Sequence, residues 1–332
     1  MREILPIAAA WLRDGRDVAV ATVVGIAGSA PREVGASMAV SDRGKAVGNV
    51  SGGCVEGSVY ERCRDALASG APSLERFGYA DAEGLAVGLT CGGAVEVLVR
   101  PVRAGSAAAA DLLLLAARER SGVPTRFALS TGADLGRGWM LAAHEAPPHG
   151  ALALDFGSPA RLVIVGAVEF AVSLARLGAA MGMRVTVVDP RDVFATAARF
   201  PEAQVVVDWP DRWLSGQSLD ARTAVCVLSH DPRFDVPALR VALASPAGYV
   251  GAMGSRVTHD DRLSRLRAAG VAPGQLDRLR SPIGLDLGGR TPDETALSIL
   301  AEIVADRHGA TGRRLSQLSG AVHAPASAVV PG

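Results

Sequence analysis

Val163-Ile164-Val165-Gly166-Ala167-Val168-Glu169-Phe170-Ala171 is the stretch that decides the fold of the second half of this 332-residue chain. An apolar run, Leu162 to Val165, ends on a glycine, and a helix pattern follows from Ala171 to Met181. A second apolar run, Val185 to Val188, closes on Asp189. Strand, glycine turn, helix and strand with a terminal carboxylate about 20 residues on is the order of a dinucleotide-binding unit. Gly166 makes the tight turn, Ala171 lets helix and strand pack closely, and Asp189 takes the ribose-binding position. Val168 stands where the middle glycine of such a unit admits pyrophosphate to the backbone. Its branched side chain fills that space, and Glu169 adds negative charge where a helix start otherwise favours an anion. Weak or no binding of free NAD(P) is the expectation.

The pattern continues outward. Val205 to Val207, Ala224 to Leu228 and Tyr249 to Ala252 read as short buried strands, with helices at Asp235 to Ala244 and Asp260 to Ala269. Continuously apolar strands separated by helices predict a parallel sheet covered on both faces, a Rossmann-like domain over residues 156–310. Ligands of such sheets bind beyond the C-terminal ends of the strands. Two sets of residues lie there. His230, in Ser229-His230-Asp231, is a candidate for proton transfer or ligand anchoring; the competing reading is a loop tie with Asp231 as helix cap. Gly254, Ser255 and Arg256 offer backbone N–H, hydroxyl and guanidinium to a phosphate, or form a tight turn into the next helix. A last helix opens at Thr291 with Pro292 at its first position and ends at Gly309. Residues 319–332 are small, polar or Ala/Pro-rich and are expected to be disordered.

Residues 1–155 read differently, as a mixed α/β domain. A short helix, Ile4 to Asp14, precedes strands at Val18–Val24, Ser37–Ser41 and Ala46–Asn49. Val55, Val59, Cys63 and Leu67 recur every four residues, which predicts a helix over 54–68 stopped by Gly70. Strands follow at Ser73–Tyr79 and Ala94–Pro101, a helix at Ala107–Glu119, a strand pair at Thr125–Ser130 and Trp139–Ala143, and a connector over His144–Pro159. Two cysteine-glycine elements stand out: Ser51-Gly52-Gly53-Cys54-Val55-Glu56-Gly57 and Thr90-Cys91-Gly92-Gly93. Glycine pairs strip side chains from the backbone and let a bulky ligand approach it. Cys54 at a helix start is placed for thiolate formation, with Glu56 opposing it in charge yet able to orient a donor or accept a proton. Cys91 would face Cys54 across a cleft; the alternative is two ordinary buried cysteines beside close-packed turns.

Bulk properties narrow the classes. The formal net charge is zero, which argues against a nucleic-acid stripe or a binder of acidic membranes. Lys45 is the one lysine, so nearly all positive charge is arginine. Four cysteines are no disulfide framework, and no Cys-x-x-Cys pair suggests structural zinc. No secretory leader pattern or run of ~18 apolar residues is present, so the chain reads as soluble and cytoplasmic.

Gly28-Ser29-Ala30-Pro31-Arg32, Gly35-Ala36-Ser37-Met38 and the two cysteine-glycine elements closely resemble the N-terminal domain of the XdhC/CoxI family. These are accessory proteins for xanthine dehydrogenase and related molybdenum hydroxylases. Val187–Arg191, Ser229–Asp235, Tyr249–Arg256 and Pro282–Asp286 resemble that family's Rossmann-like half, with motif order intact from about residue 10 to residue 308. The family usually has Gly-Ala-Gly-His where this chain has Gly166-Ala167-Val168-Glu169. The resemblance implies a chaperone, a non-catalytic accessory protein, that binds the molybdenum cofactor (molybdopterin, with or without a cytosine nucleotide). It implies protection during sulfuration by a cysteine desulfurase and insertion into the apo molybdenum hydroxylase. Carried onto this sequence, Cys54 and Cys91 become the cofactor- and metal-contacting thiols, and Gly52, Gly53, Gly92 and Gly93 the backbone cradle, with donors suited to a pterin phosphate. A homodimer is the expected assembly. Two other readings are a sulfurtransferase carrying persulfide on Cys54 and an NAD(P)-dependent oxidoreductase.

Overall fold

The computed structural model describes residues 1–28, 30–78, 93–142, 144–157 and 159–319, in two compact units, one up to Ser158 and one over Pro159–Gln317. The first unit runs α1 (Leu5–Arg13), β1 (Val18–Ala27), β2 (Ser37–Ser41), β3 (Ala46–Gly48), α2 (Glu56–Ser69), β4 (Ser73–Phe77) and β5 (Ala94–Val102). It continues with α3 (Ala107–Ser121), β6 (Thr125–Ser130), β7 (Gly138–Leu141) and β8 (Ala151–Phe156). An antiparallel sheet in the order β3-β2-β1-β5-β4 forms its centre, with β7-β6-β8 as a second, smaller sheet. Because strand side chains alternate, β1 and β5 feed two cores. Val18, Val20, Leu98 and Val102 face Leu5, Leu112 and Phe127, whereas Ala19, Ala21, Val97 and Val99 face Val59 and Cys63 of α2.

The second unit runs β9 (Arg161–Val165), α4 (Glu169–Ala180), β10 (Arg184–Val188), β11 (Gln204–Val206), α5 (Pro210–Ser215), β12 (Thr223–Val227) and α6 (Pro232–Ala244). Then come β13 (Tyr249–Ala252), α7 (Arg256–Ala268), α8 (Pro273–Leu276), β14 (Leu279–Arg280) and α9 (Pro292–His308). Its sheet order is β11-β10-β9-β12-β13-β14, every pairing parallel. Leu162, Ile164 and Cys226 pack under Leu174, Ile299 and Leu300, while Val163, Val165 and Val225 pack under Leu239 and Leu243. Both faces are covered, so the central strands are largely apolar, and the fold is the expected mixed α/β domain followed by a Rossmann-like one. Thr291 and Glu294 form a capping box at the start of α9, and Gly309 ends it in the left-handed conformation.

Two expectations are corrected. The helix read from Cys54 begins at Glu56, with Val55 as N-cap, so Cys54 stands one residue before the cap rather than inside the first turn. The stretch 144–159 is not connector throughout, because its alternating Ala151–Phe156 segment pairs with β6. The tail from residue 320 and the segment 79–92 lie outside the described residues. Among the described residues no helix is long and apolar enough to cross a membrane.

Candidate functional site

The Cys54 loop joins β3 to α2, and it is folded around one carboxylate. Glu56 Oε1 accepts from the backbone N–H groups of Val50 at 3.2 Å, Ser51 at 2.8 Å and Gly52 at 3.1 Å. Its Oε2 accepts from Gly53 N–H at 2.8 Å, Val55 N–H at 3.2 Å and the Ser51 hydroxyl at 2.6 Å. Ser51 Oγ in turn accepts from Cys54 N–H at 3.0 Å and Val55 N–H at 3.1 Å. Left-handed φ values of 80° at Gly52 and 121° at Gly53 turn successive N–H groups to one side, the geometry of an anion-binding concavity. Burial alone would raise the Glu56 carboxyl; hydrogen bonds from the Ser51 side chain and the loop backbone outweigh it and hold the group below the usual carboxylate range.

The Gly52 and Gly53 N–H groups, expected to face a pterin phosphate, donate here to Glu56. What the loop does present is a side-chain-free surface. Gly52 and Gly53 are exposed, Cys54 is half-buried, and a Cβ at Gly53 would meet nothing within 4 Å. Val50, Ser51 and Val55 anchor the loop, each at most 1% exposed. Cys63 and Cys226 are buried in the cores, where desolvation pushes both thiols up, Cys63 to about 12. Neither is placed to meet a ligand. Cys91 and Gly92 lie outside the described residues, and Gly93 is buried just before β5. Among the described residues no group of three or more His, Cys, Asp and Glu side chains is arranged to hold a metal ion.

The second set of residues gathers at the C-terminal edge of the parallel sheet. Gly166, at φ 103°, turns so tightly that a Cβ would come within 2.7 Å of Ser229 N, which brings the loops after β9 and β12 together at the reversal of strand order. Asp189 is fully buried. Its carboxylate accepts from Ala167 N–H at 2.7 Å, from Arg191 N–H at 2.9 Å, and from the Arg191 guanidinium at 2.7 and 2.9 Å. Burial raises its carboxyl, but Arg191 and these N–H groups together hold it below the ordinary range. Both oxygens of Asp189, the residue expected to meet a ribose, are thus engaged within the chain, one of them on the glycine turn itself. Arg199 closes the same turn, donating to Ala167 O at 2.8 Å and to Glu169 Oε2 at 3.3 Å.

Two of the remaining candidates, Asp231 and Ser255, are helix caps. Asp231 is the N-cap of α6, accepting from Arg233 N–H at 2.9 Å, and the Arg233 side chain holds its carboxyl at about 2. His230 beside it is exposed. Ser255 is the N-cap of α7, accepting from Thr258 N–H at 3.2 Å, Gly254 precedes it at φ 152°, and Arg256 is exposed at the first helical position. Beneath them the Ser229 hydroxyl donates to Asp235, which pairs with buried Arg262, itself donating to Met253 O at 2.7 Å. Sequence pattern gave no signal for Arg199 or Arg262, which reach the edge from distant turns; Arg191 was visible only as part of a motif. Hollows of 360 Å³ beside Trp139 and 400 Å³ beside Arg240 include none of these residues.

The description "XdhC and CoxI family" matches residues 11–78, which carry the Cys54 loop, and "XdhC Rossmann domain" matches residues 162–303. The molybdenum cofactor insertion chaperone PaoD of Escherichia coli K12 is 29% identical over 313 residues, 92% of this chain and 88% of that protein. A probable xanthine dehydrogenase subunit from Bacillus subtilis 168 is 28% identical over 90% of this chain and 96% of its own length. The crystal structure of a xanthine dehydrogenase from Bacillus halodurans, 23% identical, superposes with a TM-score of 0.77 over 96% of this chain and 97% of that one, a likeness of fold.

Proposed function

The chain belongs to the XdhC and CoxI family, and from that premise we propose that it is a molybdenum cofactor chaperone for a xanthine dehydrogenase-type hydroxylase. It holds the cofactor as cargo, shields it while a cysteine desulfurase supplies the terminal sulfur, and passes it to the apo-hydroxylase. The observation that carries this reading is the Cys54 loop: a half-buried thiol beside exposed Gly52 and Gly53, within the family-matched segment. A thiol on side-chain-poor backbone suits a soft metal–sulfur centre, and Cys91 joins it as a proposed second thiol. The cargo is molybdopterin or its cytosine dinucleotide form, and the working unit is a cytoplasmic homodimer. Delivery is the test. The loaded chain added to apo-hydroxylase is expected to restore activity beyond that given by free cofactor; equal activity with and without the chain would sink the reading.

One observation favours a second reading. Cys54 is half-buried whereas Cys63 and Cys226 are buried, so among the described cysteines Cys54 is the one placed to accept sulfur. A labelled persulfide on Cys54 after incubation with a desulfurase, before any pterin is present, would indicate sulfur transfer rather than holding.

A further inference from the structure

We propose that Glu56 is a positioning residue: its carboxylate is the resident anion of the 49–55 loop, setting where Cys54 stands without itself touching the cargo. This rests on the reading of Cys54 as the cargo-facing thiol. Two features of the loop are organised around that carboxylate. A Cβ at Gly53 would meet open space, so glycine is needed there for backbone handedness and not for room. That handedness turns the N–H groups of Gly52 and Gly53 onto Glu56. Cys54 is then fixed by relay: its N–H binds Ser51 Oγ, whose hydroxyl proton goes to Glu56 Oε2. Charge-assisted bonds of this kind are short and strong. Buried Val50 and Val55 pin the two ends.

A consequence concerns the cargo. The concavity that would seat a phosphate is already filled by the chain's own carboxylate, so the part of the cargo that meets this loop is not its phosphate. The metal–sulfur end or the uncharged ring system faces Cys54.

The test uses the full-length chain, its Glu56→Ala and Glu56→Gln variants, and molybdopterin released from a purified hydroxylase, each with and without formate. In Glu56→Ala, amide exchange at Ser51, Gly52 and Gly53 is expected to quicken, and pterin affinity to fall, about tenfold or more. Formate, a carboxylate small enough for the vacated concavity, restores both. Glu56→Gln gives an intermediate loss that formate leaves unchanged, and it carries the test if the alanine variant melts. Tighter pterin binding by Glu56→Ala would identify the concavity as a phosphate seat plugged by Glu56 and overturn the proposal. Unchanged exchange would overturn it as well. Should the wild type take up no pterin, the functional reading fails, while exchange and formate rescue still decide the role of Glu56.

Discussion

Arg100 of β5 holds a guanidinium 2% exposed, 5.6 Å from the Phe127 ring, with Nε and Nη2 lacking hydrogen-bond partners among the described residues. Desolvation pulls its pKa down to about 10, and Asp111 only partly opposes that. A base whose folded pKa lies below its unfolded value weakens the fold at neutral pH, and stability recovers as pH rises through about 10. Arg100→Met is therefore expected to stabilise the first unit by about 2 kcal/mol, read as a higher Tm; a lower Tm would show that the guanidinium supports the fold. Asp189 behaves oppositely. Its folded carboxyl lies below the unfolded range, so its contribution is present above ~pH 4 and fades as pH falls below that. Asp189→Asn should lose about 2 kcal/mol at pH 7 and flatten the acid limb of the stability curve; an unchanged acid limb would contradict the assignment. The contacts of Glu56 and of Arg199 were not legible in the sequence. Glu56 folds back on residues three to six positions earlier, and Arg199 reaches Ala167 across 32 residues. Such contacts depend on side-chain direction in the folded chain, which residue spacing does not encode.

Elements were far more legible, because periodicity reports burial directly. The apolar runs of β9, β10, β12 and β13 and the cap residues of α9 fall where the pattern placed them. The misreadings have physical causes. Val55 continues the four-residue apolar period of α2 yet sits at its N-cap, since a buried residue just before a helix packs as well as one inside it. β8 was hidden by the prolines and glycines flanking its alternation. The turn between β9 and α4 yields a prediction at this scale. Val168→Gly would restore the glycine of a dinucleotide unit, but Asp189 and Arg199 would still occupy the turn. Calorimetry is expected to detect no NAD binding to either the wild type or this variant; micromolar affinity in the variant alone would make Val168 the sole barrier.

At the scale of the molecule, each unit has its own sheet and cores, and the family match spans both. The composition already argued against nucleic acid as a partner class, and the ordered motifs supplied the family; what they did not supply was the state of the two anion cradles. Both are filled from within, Glu56 in the first unit and Asp189 on the glycine turn of the second. On the proposed reading, recognition of the cargo falls to the thiol loop rather than to either of these two turns. The most direct measurement is pterin and molybdenum content after anaerobic purification from cells expressing the cofactor-biosynthesis enzymes, for the wild type, Cys54→Ala and Cys63→Ala. The wild type and Cys63→Ala are expected to carry pterin, and Cys54→Ala to lose most of it. Pterin-free wild type, or equal loading of all three, would contradict the account.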